Sequence, residues 1–154
     1  MLRPLPALLC FALLACGLPR DPEKTSERIG SSHELRVGVT DNGAWVNASA
    51  AQPRGIEPDL VRAFAARIGA RVLWTRGSET SLAQSLKKHE LDIAIGGFDS
   101  QTPWKSIAGV SQPFTETADR KKHVMLAAPG ENRFMLTLDT FLTEHLRAAK
   151  AGAA

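Results

Sequence analysis

The side chains of this 154-residue sequence that could do chemistry are four histidines, two cysteines and a scatter of serines and acids, and their spacing gathers few of them. His33, His89, His123 and His145 lie far apart, with His89 reading as a helix end and His145 as a helix-face residue, so they set up no metal site. No Gly-x-Ser-x-Gly elbow, His-Glu-x-x-His pair or glycine-rich phosphate loop occurs, which leaves catalysis without a constellation and implies no cofactor. Cys10 and Cys16 both sit in or beside one apolar N-terminal run, so the rest of the chain has neither a disulfide nor a cysteine zinc site. Lys87-Lys88 and Arg120-Lys121-Lys122 are short charge runs of the kind that cover solvated faces, an anionic partner or lipid surface being the other reading. The formal net charge of +3, or +2 without the first fifteen residues, lacks the clustered basic excess that a nucleic-acid binder needs.

The N-terminus carries its own chemistry. Residues 1–15 have the layout of a secretory signal: Arg3 in a short n-region, an apolar stretch, and a small residue at the end. The apolar run of residues 5–14 is too short for the roughly 20 residues that span a bilayer. Leu13-Leu14-Ala15-Cys16-Gly17 resembles a bacterial lipobox, which implies a diacylglyceryl group on Cys16 as the first mature residue. An ordinary signal peptide with an incidental Cys16 is the alternative. Residues 16–33 are polar, with Pro19, Pro22 and Gly30 and no apolar period, and are expected to form a flexible tether between the lipidated cysteine and a folded unit over 34–150.

That unit alternates strand and helix patterns. Leu35-Arg-Val-Gly-Val-Thr40 alternates as a strand, and Asp41-Asn-Gly-Ala signals a turn. Gly55-Ile-Glu-Pro-Asp opens a helix, with a proline and acids suited to its first turn, and Leu60, Val61, Phe64, Ala65 and Ile68 on one face. Val72-Leu-Trp-Thr75 is the next strand, residues 78–81 cap a helix bearing Leu82 and Leu86, and Leu91-Asp-Ile-Ala-Ile95 is a third strand ending at Gly96-Gly97. Short links between such elements mean right-handed crossovers and a parallel sheet. Residues 106–110 and 123–127 are the remaining strands, and Phe134, Leu138, Phe141, Leu142 and His145 mark a last helix over 132–149. The expected class is therefore α/β: a doubly wound, mostly parallel sheet with flanking helices.

In this order, Leu35-Arg-Val-Gly-Val, Gly55-Ile-Glu-Pro-Asp-Leu, Leu86-Lys-Lys-His-Glu-Leu-Asp-Ile-Ala-Ile, Thr102-Pro-Trp-Lys and Val110-Ser-Gln-Pro-Phe resemble the bacterial extracellular solute-binding proteins of family 3, the periplasmic amino-acid-binding type. The resemblance implies a type II, two-lobed fold. Here only residues 115–122 stand where the chain would cross into a second lobe of roughly a hundred residues, so it covers lobe one alone. The crevice of an open α/β sheet lies at the carboxyl ends of its strands, and the family's lobe-one contribution comes from loops on that edge.

By that resemblance the ligand-binding residues are Asp41 and Trp45 in the loop after the first strand, Gly97 and Phe98 in the turn after the third, and Thr102 with Lys105 beyond it. Trp45 is either an aromatic platform or a plug over the sheet. The Gly97–Phe98 turn offers backbone N–H groups and a ring, or is simply a tight turn. Lys105 stands where family members carry an arginine that grips a carboxylate with a planar fork, and lysine supplies the charge without the fork. Its alternative is a solvated surface charge. Asp59 reads as a helix-start residue. The implied function is recognition of a small polar solute, an amino acid or other carboxylate, for transport or sensing by an extracytoplasmic, lipid-anchored protein. The rival is an interaction module that has lost solute binding and docks to a membrane transporter or sensor through the face left by the missing lobe.

Overall fold

The computed structural model describes residues 19–118 and 120–152. The signal segment and Cys16 lie outside the described residues. The elements run α1 (Thr25–Ser32), β1 (Glu34–Val39), α2 (Ile56–Arg67), β2 (Arg71–Arg76), α3 (Glu79–Lys87) and β3 (Ile93–Ile95). A 3₁₀ turn (Pro103–Ser106) then leads to β4 (Gly109–Val110), β5 (Thr115–Glu116), β6 (Lys122–His123), β7 (Leu126–Ala127) and α4 (Asn132–Gly152).

Five strands form one sheet in the order β2-β1-β3-β7-β4, and β5 and β6 make a separate two-stranded ribbon. β1 pairs in parallel with both β2 and β3, in register Val37 to Trp74 and Val39 to Ile95. β7 returns antiparallel between β3 and β4. The alternation of β1 explains why helices cover both faces. Leu35, Val37 and Val39 are fully buried beneath α2 and α4, whose Leu60, Val61, Phe64, Phe134, Leu138, Phe141 and Leu142 complete the larger core. On the other face Gly38 has no side chain, and a Cβ there would fall 2.6 Å from Leu91 Cδ1 and 2.8 Å from Leu82 Cδ2. That absence lets α3 settle close to the sheet, over a second core of Leu82, Leu86, Leu91, Ala94, Phe98, Val124 and Leu126.

Two expected strands divide. The 106–110 segment begins instead as the 3₁₀ turn, because Thr102 Oγ1 accepts the Trp104 N–H (3.4 Å) and caps a turn with proline at its start. The 123–127 segment splits because its first residues pair with β5 while Leu126 and Ala127 join the sheet. Between them the Met125 N–H donates to Ser111 Oγ (2.9 Å).

The tether reading of residues 16–33 is corrected within its described part. Thr25–Ser32 is a helix whose Ile29 enters the larger core at 4% exposure. One buried apolar residue leaves no readable period, but polar contacts hold the segment. Asp21 Oδ1 accepts the N–H groups of Arg133 (2.8 Å) and Phe134 (3.0 Å), capping α4. Glu131, the residue before α4, accepts the N–H groups of Glu23 and Thr25 (both 2.9 Å) and so fastens the start of α1. Burial alone would push the Asp21 carboxyl up, but hydrogen bonds from the Ser26 side chain and from the Phe134, Ser26 and Arg133 amides outweigh it and hold the group below its ordinary value. Arg28 of α1 and Arg36 of β1 both bind the fully buried Asp92 carboxylate, at 2.6 and 2.7 Å. The folded unit therefore begins before residue 34.

Candidate functional site

Because Val39 lies beside Ile95, the loop after β1 and the turn after β3 leave the sheet side by side. The Asp41 carboxylate is spent on the loop's own shape: Oδ1 accepts the Ala48 N–H at 2.8 Å. Asn42 turns the chain, its carbonyl accepting the Trp45 N–H (2.7 Å), and its side-chain Nδ2 donates to the Gly96 carbonyl (3.2 Å). Gly97 follows with φ 72°, in the left-handed region, and a Cβ there would fall 2.3 Å from Asn42 Nδ2 and 2.9 Å from Trp45 Cδ1. Only glycine fits both that backbone and that approach. The expected pair Trp45 and Gly97 is thus brought into contact, with Asn42, which the sequence did not single out, between them.

The remaining expected residues divide. The Phe98 ring, 4% exposed, packs into the second core against the α3 side, so the reading of that ring as a surface offered to a solute is corrected. Thr102 is 5% exposed and its hydroxyl caps the 3₁₀ turn. Lys105 is exposed on that same turn and makes no ion pair among the described residues. Asp59 sits in the first turn of α2 and pairs with Arg62 at 2.7 Å, as a helix-start residue does.

Two groups at this edge escaped sequence reasoning. The His123 ring of β6 lies 3.9 Å from that of Trp45, centroid to centroid, tilted by 32°, and Phe114 meets Trp45 edge-on at 6.1 Å. Glu57 belongs to the motif read only as a helix opening, yet it is fully buried. Its Oε2 accepts the N–H groups of both Gly96 (2.8 Å) and Gly97 (2.9 Å). The Gly97 amide therefore points inward rather than into the crevice. Burial pushes the Glu57 carboxyl up to about 7, against the pull of those two amides. The signal that could have found it is an acid two residues from the glycine of a helix start whose next apolar positions are all core.

Beyond Trp45 a cleft of about 460 Å³ runs between α2 and the end of α4, lined by Ile56, Leu60, Phe114, His145 and Leu146 among others. Among the described residues no three His, Cys, Asp or Glu side chains gather to hold a metal, and no helix is long and apolar enough to cross a membrane.

With this geometry in place, residues 35–120 match the bacterial extracellular solute-binding proteins, family 3. A membrane-bound lytic murein transglycosylase F of Vibrio cholerae is 30% identical over 91 residues, which is 58% of this chain and 17% of that protein. The chain thus spans about a sixth of the curated relatives it matches. Among solved structures, the arginine-bound form of domain 1 from TmArgBP of T. maritima superposes with a TM-score of 0.69 at 18% identity, covering 76% of this chain and 97% of that one. An amino acid ABC transporter substrate-binding protein from Streptococcus pneumoniae, bound to L-arginine, gives 0.67 at 10% identity, covering 80% and 94%. At these identities the solved structures establish the likeness of fold.

Proposed function

The chain belongs to the bacterial extracellular solute-binding proteins, family 3, and from that membership we propose that its single lobe recognises a small polar solute, an amino acid or other carboxylate, at the edge formed by Trp45, Asn42 and Gly97. The family's setting is extracytoplasmic. We further propose that lipid on Cys16 anchors the lobe to a bacterial membrane, two or three acyl chains at about 0.8 kcal/mol per buried methylene being enough for stable attachment. The role served is transport or sensing.

The observation that carries the binding reading is the convergence of Trp45, Asn42 and Gly97 at the carboxyl ends of β1 and β3, where open α/β sheets hold their ligands. The neighbour described as an arginine-bound domain 1 supports the idea that one lobe suffices to hold an amino acid. Lys105, exposed and unpaired among the described residues, supplies the positive charge for a carboxylate. A half-site open to water buries little ligand surface, so affinity no tighter than about micromolar is expected. A thermal-shift screen of the mature chain against amino acids and small organic acids tests this, because a ligand that binds the folded state raises its melting temperature.

Four features of this edge favour the docking alternative. His123 covers a face of Trp45, Gly97 donates inward and Phe98 is buried, while Ile56 at the neighbouring cleft is 56% exposed. A surface of this kind suits a protein partner, a transporter or sensor, seated where a second lobe would otherwise lie. We favour binding over catalysis, since the transglycosylase relative is matched over only 17% of its length.

A further inference from the structure

We propose that Glu57 is the positioning residue of the crevice, a buried carboxyl group whose gain or loss of a proton resets the Gly96–Gly97 turn against the Trp45 loop. Three segments meet at this one side chain. It stands in the first turn of α2, its Oε2 accepts both amides of the turn after β3, and its own N–H points at the Trp45 carbonyl (3.4 Å). The approach of α2 to that carbonyl is close: a Cβ on Gly55 would lie 2.5 Å from it. Asn42 holds the same turn from its other side through the Gly96 carbonyl.

The second oxygen gives the clasp two states. Glu57 Oε1 is buried and has no hydrogen-bond partner. With a proton the group is neutral, and Oε2 still satisfies the two amides. Without it, a charged oxygen is buried with no donor, and the structure that relieves this is one in which Oε1 reaches water. Reaching water requires the first turn of α2 to part from the turn it holds, and that turn is packed at Gly97 against Asn42 and Trp45. The other charged or titratable groups on the surrounding elements are Asp41 and Arg54 after β1, Asp59, Arg62 and Arg67 on α2, Asp99 after β3, and Lys122 and His123 on β6. Burial places the transition at about 7. The consequence for solute, affinity that varies with pH across the neutral range, rests on the binding reading above. The clasp itself does not.

The test therefore uses the full chain without solute. Nitrogen-15 spectra followed across the neutral range should show the Gly96 and Gly97 amides shifting together with a midpoint near 7, and E57Q, which keeps the neutral shape, should abolish that shift. The same titration surviving in E57Q, or its absence from the wild-type amides, would overturn the proposal. Should E57Q fail to fold, the carbon-13 carboxyl resonance of Glu57 in the unaltered chain decides: a midpoint matching the amides supports the clasp, and one near the ordinary 4.5 overturns it. Failure of the solute reading appears separately, as a ligand screen with no hit.

Discussion

The ring of His123 stacks on that of Trp45 at 3.9 Å, so the β5–β6 ribbon lies over the edge of the lobe at the point where the chain would leave for a second lobe. The ribbon is tied down as well: the Ser100 N–H donates to the Lys122 carbonyl (2.9 Å), and the backbones of Asp99 and His123 form an antiparallel bridge. The shortened crossover thus closes on itself and covers apolar surface that it would otherwise leave open. Removing the ring should be felt in both stability and spectrum. His123→Ala is expected to lower stability by about 1 to 2 kcal/mol, the scale of an aromatic pair with its burial, and to shift the emission of Trp45. Chemical denaturation followed by tryptophan fluorescence checks both.

The start of the chain is part of the fold. Asp21→Ala removes the cap of α4 and should cost about 1 to 2 kcal/mol at neutral pH. Because the folded group is held below its ordinary value of 3.8, its contribution is present above that value and is lost as pH falls through the lower folded one. Urea melts of wild type and variant should therefore converge in acid.

These contacts mark the boundary of what the sequence made legible. The alternation Leu35-Val37-Val39 and the helical period of Leu60, Val61 and Phe64 read directly as sheet and helix because each buries a whole stripe. α1 did not, since Ile29 is its one buried apolar residue and the segment is held by the Asp21–Phe134, Thr25–Glu131 and Arg28–Asp92 contacts, which join residues 64 to 113 apart in the chain. At the site, Trp45 and Gly97 were found from their loops. Phe98 lies past the end of β3, beyond the left-handed Gly97, where no strand period reads its direction, and it packs with Ala94 in the core on the α3 side. Glu57 was hidden by its position: an acid at a helix start is ordinarily solvated, and only the fold shows that the Gly96–Gly97 turn sits on it.

Glu57 also predicts how stability changes with pH. Its folded value is raised from 4.5 to about 7, so in that window the native state holds a proton that the unfolded chain has released. Stability from this group is therefore full below the window and falls as pH rises through it, by about 3 kcal/mol in all. Glu57→Gln should flatten that slope, as melting temperatures measured across the window will show.

The last helix completes the larger core through Phe134, Leu138, Phe141 and Leu142, none more than 8% exposed. A chain ending at residue 131 loses all four, each worth roughly 2 to 5 kcal/mol, more than the whole stability of a small domain. It should be unfolded by circular dichroism, and a cooperative melt would show α4 to be peripheral.

The proposed anchor has its own test. Cys16→Ser should give an unprocessed or soluble product while the parent partitions into detergent, and a parent recovered wholly in the aqueous phase would remove the lipid from the account.

Calorimetric titration of the mature chain with the best ligand from an amino-acid and organic-acid screen tests the central claim most directly. The account predicts binding at about micromolar or weaker. It also predicts a loss of about 1.5 to 3 kcal/mol in Lys105→Ala, with affinity equal or better in Lys105→Arg. Absence of any ligand at millimolar concentration, or an affinity unchanged in Lys105→Ala, would contradict solute recognition at this edge and leave the face to a docking partner.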